Sequence, residues 1–95
     1  MVTEVAIFTA LPGKESALGQ GIIQGLETIR QHPECISANS THCIEKKSRY
    51  MLTVNWTSLD AHVKDFRNGP LFAQWRSHIN GLTEDNTEVF HYEAY

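Results

Sequence analysis

The chain has 95 residues, of which 41% are hydrophobic and 20% charged, a composition typical of one ordinary globular domain over residues 1–95. Its formal net charge is −3 and its 8 Lys and Arg residues are scattered, so nucleic acid is not expected as a partner. The N-terminus lacks the cationic start of a signal peptide and no apolar stretch reaches membrane-spanning length, so no membrane partner is expected.

The first third of the chain predicts a strand followed by a helix. Residues 3–11 are rich in β-branched and aromatic side chains and predict a strand covered on both faces, which Pro12-Gly13 ends. Over residues 14–32, leucine and isoleucine recur at helical spacing, and Pro33 ends the helix. Three glycines interrupt this helix, each destabilising it by up to about 1 kcal/mol relative to alanine: Gly19, Gly21 and Gly25. They indicate a tight helix-on-sheet contact or, as the alternative, a ligand cavity.

Two further strands follow, joined by a turn. Residues 35–45 predict an irregular polar strand, and residues 49–56 predict the clearest strand of the chain, with large apolar side chains in alternation. Cys35 and Cys43 lie on the same extended segment, at a separation of roughly 26 Å that exceeds disulfide reach. We therefore expect two free thiols and a reducing, cytoplasmic compartment.

The second helical region is split at Asn68-Gly69-Pro70, where proline suits the first turn of a new helix. Thr57 and Ser58 are suitable N-cap residues for its first half. One inward face is predicted for that half: Leu59, His62, Val63 and Phe66. The inward face predicted for the second half comprises Leu71, Phe72, Trp75, His78, Ile79 and Leu82. Residues 87–95 predict the last strand.

The element order β-α-β-β-α-β predicts an α+β, ferredoxin-like fold, in which a four-stranded antiparallel sheet carries both helices on one face. The other face is expected to present Met51, Thr53 and Val89, which are together too apolar to remain in water. A second copy of the sheet would cover them, so we predict a homodimer built face to face. His42 and His91 are assigned to that same face.

The segment Trp56-Thr57-Ser58-Leu59-Asp60-Ala61-His62, followed by Phe72 and Trp75, resembles the antibiotic biosynthesis monooxygenase (ABM) family of dimeric α+β barrels. Members of that family leave the third strand with a tryptophan, cap the next helix with serine, and place alanine and histidine one turn later. The resemblance in length and element order covers nearly the whole chain. It implies the fold but not one activity, because the superfamily also contains haem-degrading enzymes, polyketide cyclases, isomerases, decarboxylases and stress proteins.

Two branches of the superfamily fit this chain less well. The haem-degrading branch needs an asparagine in the first strand and a haem-ligating histidine near Trp75, whereas His78 is out of step with that position. The polyketide cyclases place a catalytic histidine just after the proline of the helix break, but here Leu71 and Phe72 follow Pro70. No metal-ligand pattern and no glycine-rich nucleotide loop is found, so no cofactor or metal is expected.

The resemblance implies a mostly apolar pocket between the sheet and the helices, suited to a flat aromatic or polyketide-derived substrate. The residues expected to bind this substrate are Tyr50, Trp56, Phe66, Phe72, Trp75 and Arg76, and the expected catalytic residues are His62 and His78. A neutral imidazole can take a proton from a phenol or from an acidic carbon between carbonyls. The electron-rich anion that results can react with oxygen directly.

The predicted function is a cofactor-independent monooxygenase acting on a phenolic, quinol or polyketide-derived aromatic intermediate. His62 is the predicted general base, directed inward and kept neutral by burial. One alternative is a cyclase or another proton-transfer enzyme of the same fold, since ring closure begins with the same proton abstraction. The other is a non-catalytic stress-response or binding barrel. For His62 itself, the alternative is a structural histidine hydrogen-bonded within the core.

Overall fold

Four strands form one antiparallel sheet in the computed structural model, which describes residues 1–95. The strands are β1 (Val2–Thr9), β2 (Cys35–His42), β3 (Arg49–Trp56) and β4 (Glu88–Tyr92), in the spatial order β2-β3-β1-β4. The helical elements are α1 (Glu15–Arg30), a π-helical segment (Ala61–Phe66) and α2 (Pro70–Ser77). The predicted ferredoxin-like fold and the split of its second helical region are therefore confirmed.

The face of the sheet that meets the helices forms the core. On β1 this face carries Glu4, Ala6 and Phe8, which are 6%, 1% and 6% exposed. Leu52 and Val54 of β3 pair with Ala6 and Glu4 in the antiparallel register and are also buried. The alternation of buried and half-buried residues along β1 follows from the two-residue period of a strand.

The register of β4 corrects the predicted outer face. Val89 pairs with Ala6 and His91 pairs with Glu4, so both side chains lie on the helix face of the sheet. The prediction that Val89 and His91 belong to the outer face was therefore wrong. A shift of one residue exchanges the two faces of a strand, and the short alternating segment from Val89 to Tyr92 fits either assignment from sequence alone. Phe90 and Tyr92 occupy the outer face instead.

His42 was also assigned to the wrong face. It pairs with Tyr50 in the β2–β3 register, and the two rings stack with centroids 4.2 Å apart. The Tyr50 hydroxyl donates to the backbone carbonyl of Glu15 in α1 at 3.0 Å, which places both rings on the helix side of the sheet. The irregular, polar character of β2 concealed this alternation.

The three glycines of α1 allow close packing, but only one of them does so against the sheet, as predicted for all three. A Cβ atom at Gly19 would lie 2.6 Å from the Tyr50 hydroxyl oxygen, and one at Gly25 would lie 2.5 Å from the Trp75 ring. A Cβ atom at Gly21 would overlap the backbone carbonyl oxygen of His78. Gly19 thus faces the sheet, whereas the other two glycines let α1 approach α2.

Gly21→Ala is expected to lower the free energy of unfolding by ~1–2 kcal/mol, because overpacking against a backbone carbonyl outweighs the gain in helix propensity. Gly19→Ala is the matched control, since its neighbour is the movable end of a tyrosine side chain. It should change stability by less than ~0.5 kcal/mol. Urea denaturation of both variants measures the difference, and equal midpoints would contradict a close α1–α2 contact.

The π-helical segment explains why the predicted inward face was only partly correct. The amide of Arg67 donates to the carbonyl of His62 at 3.2 Å, five residues earlier, which is the wide-turn hydrogen bond of a π-helix. His62 and Phe66 are buried, but Leu59 is 45% exposed because the widened turn moves it off their face. Ser58 caps the start of this region as predicted, its hydroxyl accepting from the Ala61 amide at 3.2 Å.

Cys35 and Cys43 are both free thiols, as predicted. None of the helices combines the length and the apolar character that a membrane crossing requires.

Candidate active site

A cavity of about 520 Å³ lies between the helix face of the sheet and the two halves of the second helical region. Its floor is formed by β1, β3 and β4, and its walls by the end of α1, the π-helical segment and α2. The residues that line it are Glu4, Ala6, Phe8, Ile29, Leu52, His62, Phe66, Arg67, Phe72, Trp75, Arg76, Ile79, Thr83, Glu84, Asp85, Thr87 and Val89. The volume is that of a site for a small organic molecule.

Aromatic rings make up one wall of this cavity. Phe66 and Phe72 meet edge to face with centroids 5.8 Å apart, and Phe8 and Trp75 do the same at 6.1 Å. The guanidinium carbon of Arg76 lies 5.9 Å from the centroid of the Phe72 ring. Such a wall favours a planar, electron-rich ligand, because edge and face contacts between rings add to the burial of apolar area.

A buried carboxylate lies in the floor of the cavity. Glu4 is 6% exposed, and its Oε1 accepts a hydrogen bond from Trp56 Nε1 at 3.0 Å. His62 Nε2 lies 3.3 Å from the same oxygen. Trp56 itself is fully buried beneath the cavity. A carboxylate can occupy this apolar face because the Trp56 N–H of β3 donates to it and the His62 ring of the π-helical segment lies against it.

His62 connects the carboxylate to a second histidine. Its ring stacks on Trp56 with centroids 5.2 Å apart and an interplanar angle of 13°. Its Nδ1 lies 2.7 Å from His91 Nε2, so both ring nitrogens have a partner within the protein. Trp56, Glu4, His62 and His91 thus form a continuous polar network, referred to below as the Glu4 network.

Burial dominates the electrostatics of this network. Desolvation raises the pKa of Glu4 above its ordinary value, although the Trp56 hydrogen bond and the nearby positive charge of Arg67 act in the opposite direction. Desolvation, with the Arg67 and His91 charges, lowers the pKa of His62 to about 4. The same burial and Arg67 lower the pKa of His91. Both histidines are therefore neutral at pH 7, in agreement with the prediction for His62.

Charged side chains surround the rest of the cavity. Arg67 and Arg76 line it on the helix side, and Glu84 and Asp85 line it on the loop before β4. Ion pairs occur at other places in the chain, and none joins these four residues. No group of three or more His, Cys, Asp or Glu side chains is arranged to hold a metal ion.

Comparison with known proteins identifies the family. The family model of the antibiotic biosynthesis monooxygenases matches residues 1–77, which include Glu4 and His62. The chain belongs to this family. It is 26% identical to a solved protein from Bordetella bronchiseptica assigned to antibiotic biosynthesis monooxygenases, with a TM-score of 0.91 over 99% of this chain and 96% of that one.

Two further proteins are similar to this member of the ABM family over nearly its whole length. YczJ of Bacillus subtilis strain 168, an uncharacterized protein, is 24% identical over 93 residues, which is 98% of each chain. SnoaB of Streptomyces nogalater, described as a cofactor-independent oxygenase, is 19% identical, with a TM-score of 0.84 over 99% of this chain and 92% of SnoaB. At that identity the likeness to SnoaB concerns the fold.

The structure of this ABM member brings five of the predicted site residues together around the cavity: His62, Phe66, Phe72, Trp75 and Arg76. Trp56 does not line the cavity itself, but it donates a hydrogen bond to Glu4, which does. Tyr50 lies elsewhere, beside His42 in a separate surface groove. His78 follows α2 with its carbonyl against Gly21, and it does not line the cavity.

Sequence reasoning missed Glu4, Arg67 and His91. The available signal for Glu4 was a single carboxylate inside an otherwise apolar strand, since a buried charge requires a partner. His91 was assigned to the wrong sheet face, and Arg67 was overlooked because it directly precedes the helix break. The closeness of these residues depends on the strand order, which brings β4 beside β1 and thereby His91 beside Glu4.

Proposed function

We propose that this ABM member is a cofactor-independent monooxygenase acting on a phenolic, quinol or polyketide-derived aromatic intermediate. The observation that carries the proposal is the Glu4 network, a buried acid–base group in the floor of an aromatic-lined cavity of about 520 Å³. Membership of the ABM family and the fold shared with SnoaB support the same reaction class.

The reaction begins with histidine-assisted removal of a proton from the substrate. The anion that remains is electron-rich and transfers an electron to O2 more readily than the neutral molecule. Where an activated methylene becomes a carbonyl, one oxygen atom of O2 enters the product and the other leaves as water with the two hydrogens. The substrate supplies all the electrons, so the balance needs no other reductant. Proton removal by a positioned base typically accelerates such a step ~10²–10⁴-fold.

The substrate lies against the aromatic wall formed by Phe66, Phe72 and Trp75, and Arg76 binds an oxygen substituent at the rim. Ring closure of a polyketide by a cyclase would begin with the same deprotonation in the same cavity. Consumption of oxygen separates the two reactions, since a cyclase uses none. A non-catalytic barrel would neither consume oxygen nor exchange substrate protons.

The test is oxygen uptake by the purified protein with dithranol, an anthrone, and with naphthohydroquinone. We expect consumption of O2 above the rate of spontaneous oxidation, with a rate proportional to enzyme concentration. Heat-denatured protein is the control. Uptake that does not exceed this control with either compound contradicts the proposed activity.

We propose further that the chain forms a homodimer through the outer face of the sheet. That face exposes Phe90 by 59%, Tyr92 by 56% and Met51 by 37%. Phe90 lies beside Val5 in the register, so these side chains form one apolar surface. The proposal keeps the predicted interface but replaces Val89 by Phe90 and Tyr92.

We also propose a reducing, cytoplasmic location, which the two free cysteines support.

Sedimentation of the protein at micromolar concentration should give about twice the 10.8 kDa chain mass. Phe90→Asp should shift the mass toward the monomer, because it places a charge on the surface that the dimer would bury. Ile23→Asp is the matched control, since Ile23 is 56% exposed on α1, on the other side of the sheet. A monomeric wild-type protein would contradict the dimer.

A further inference from the structure

One oxygen of the Glu4 carboxylate is free to meet a ligand. Oε1 accepts a hydrogen bond from Trp56 Nε1 and is in contact with His62 Nε2 at 3.3 Å. Oε2 has no hydrogen-bond partner in the protein. Every side-chain nitrogen and oxygen that is shielded from solvent does have a partner, so Oε2 is not shielded. Glu4 lines the cavity, and only 6% of the residue is exposed. Because Glu4 is part of the cavity lining, we infer that Oε2 is reached from the cavity.

His62, in contrast, has no free ring nitrogen to offer a substrate. Its Nε2 is directed to Glu4 at 3.3 Å and its Nδ1 to His91 at 2.7 Å. One face of the ring is covered by Trp56. To take a proton from a ligand, the imidazole would have to break one of these two contacts inside the core.

We propose that Glu4 accepts the substrate proton through Oε2, and that His62 and His91 are positioning residues that orient the carboxylate. This inference rests on the proposed function and names the atom that performs its first step. The O–H or C–H bond of the substrate breaks, and its proton forms a bond to Oε2. The electron pair remains on the substrate as a phenolate or carbanion.

The hydrogen bonds of the network are compatible with both charge states of Glu4. The Trp56 indole can only donate, so Oε1 is an acceptor throughout. A neutral His62 that donates through Nε2 accepts at Nδ1 from His91 Nε2. Because Oε1 remains an acceptor when Oε2 carries a proton, no side chain has to rotate during the transfer. Burial also raises the pKa of Glu4 toward the working pH, which favours a general base.

Hydrogen exchange at the substrate measures this step without oxygen. Under anaerobic conditions in D2O, the wild-type protein should accelerate the loss of the methylene hydrogens of dithranol, followed by proton NMR. Glu4→Gln keeps an acceptor at Oε1 but has no basic oxygen, so the catalysed exchange should fall ~10²–10⁴-fold. Glu45→Gln, the same change at an exposed turn residue, is the control and should exchange at the wild-type rate.

Circular dichroism verifies that Glu4→Gln is folded. If it is not, Glu4→Asp replaces it, with an expected loss of ~10–10²-fold because the carboxylate is withdrawn from the cavity. Exchange that persists in a folded Glu4→Gln overturns the inference, as does a wild-type protein that does not accelerate exchange of the dithranol methylene hydrogens. Exchange that depends on Glu4 but is not accompanied by oxygen uptake supports the inference and contradicts only the oxygenase proposal.

Discussion

His62→Ala should lower the turnover number of the proposed reaction by about 10²-fold while the chain stays folded. The substitution removes the N–H that lies 3.3 Å from Glu4 Oε1 and the ring that stacks on Trp56. The carboxylate then loses its fixed position, and a misplacement of about 1 Å is enough to reduce a rate ~10²-fold. We expect the effect in kcat rather than KM, because His62 contacts the carboxylate and the aromatic wall still binds the substrate.

Two further variants separate orientation of the carboxylate from a merely structural role. His62→Gln can again donate to Glu4 and should recover part of the lost rate. His62→Leu fills the space without a nitrogen that can contact Glu4, so it should recover none of the lost rate. His78→Ala should have a much smaller effect on turnover. Unchanged turnover in His62→Ala would contradict the role of this histidine.

Trp56→Ala should lower the free energy of unfolding by ~3–5 kcal/mol. Trp56 is 0% exposed and contacts the rings of His32, His62 and Phe66 at centroid distances of 5.5, 5.2 and 5.2 Å. Its removal leaves a large cavity and takes one donor from the buried Glu4 carboxylate. Small domains are stable by only ~5–15 kcal/mol in total, so the variant should unfold at much lower urea concentration.

Trp56→Phe distinguishes the ring from its N–H group. It retains most of the aromatic volume but removes the hydrogen bond that Glu4 Oε1 accepts, for which we expect a loss of ~1–2 kcal/mol. Urea titration followed by circular dichroism gives both values. A loss below ~1 kcal/mol for Trp56→Ala would show that the core collapses around the missing ring and that Trp56 is not its centre.

The fold was predictable because local signals agreed along most of the chain. Pro12-Gly13, Pro33 and Gly69-Pro70 delimit the elements, and strand periodicity assigned the two faces of β3 correctly. β4 was less predictable, since its short alternation fits either face. Only the pairing of His91 with Glu4, which depends on the tertiary strand order, decides between them.

The candidate site was predictable in part for the same reason. His62, Phe66, Phe72 and Trp75 follow helical periodicity, and the structure places them around one cavity. The partners of His62 come from strands 58 residues before it and 29 residues after it in sequence, so no local pattern could connect them. The π-helical turn also limits prediction from sequence, because it displaces Leu59 from the inward face that the periodicity of an ordinary helix predicts for it.

The position of Glu4 on a central strand has a consequence for how the ligand specificity of this protein can change. β1 is hydrogen-bonded to β3 on one side and to β4 on the other, so Glu4 shares the rigidity of the whole sheet. Thr83, Glu84 and Asp85, by contrast, border the cavity from the connection that precedes β4. Loops tolerate substitution far better than paired strands. Directed evolution confined to this connection should therefore yield variants with altered ligand ranges that all retain the Glu4 carboxylate in its place.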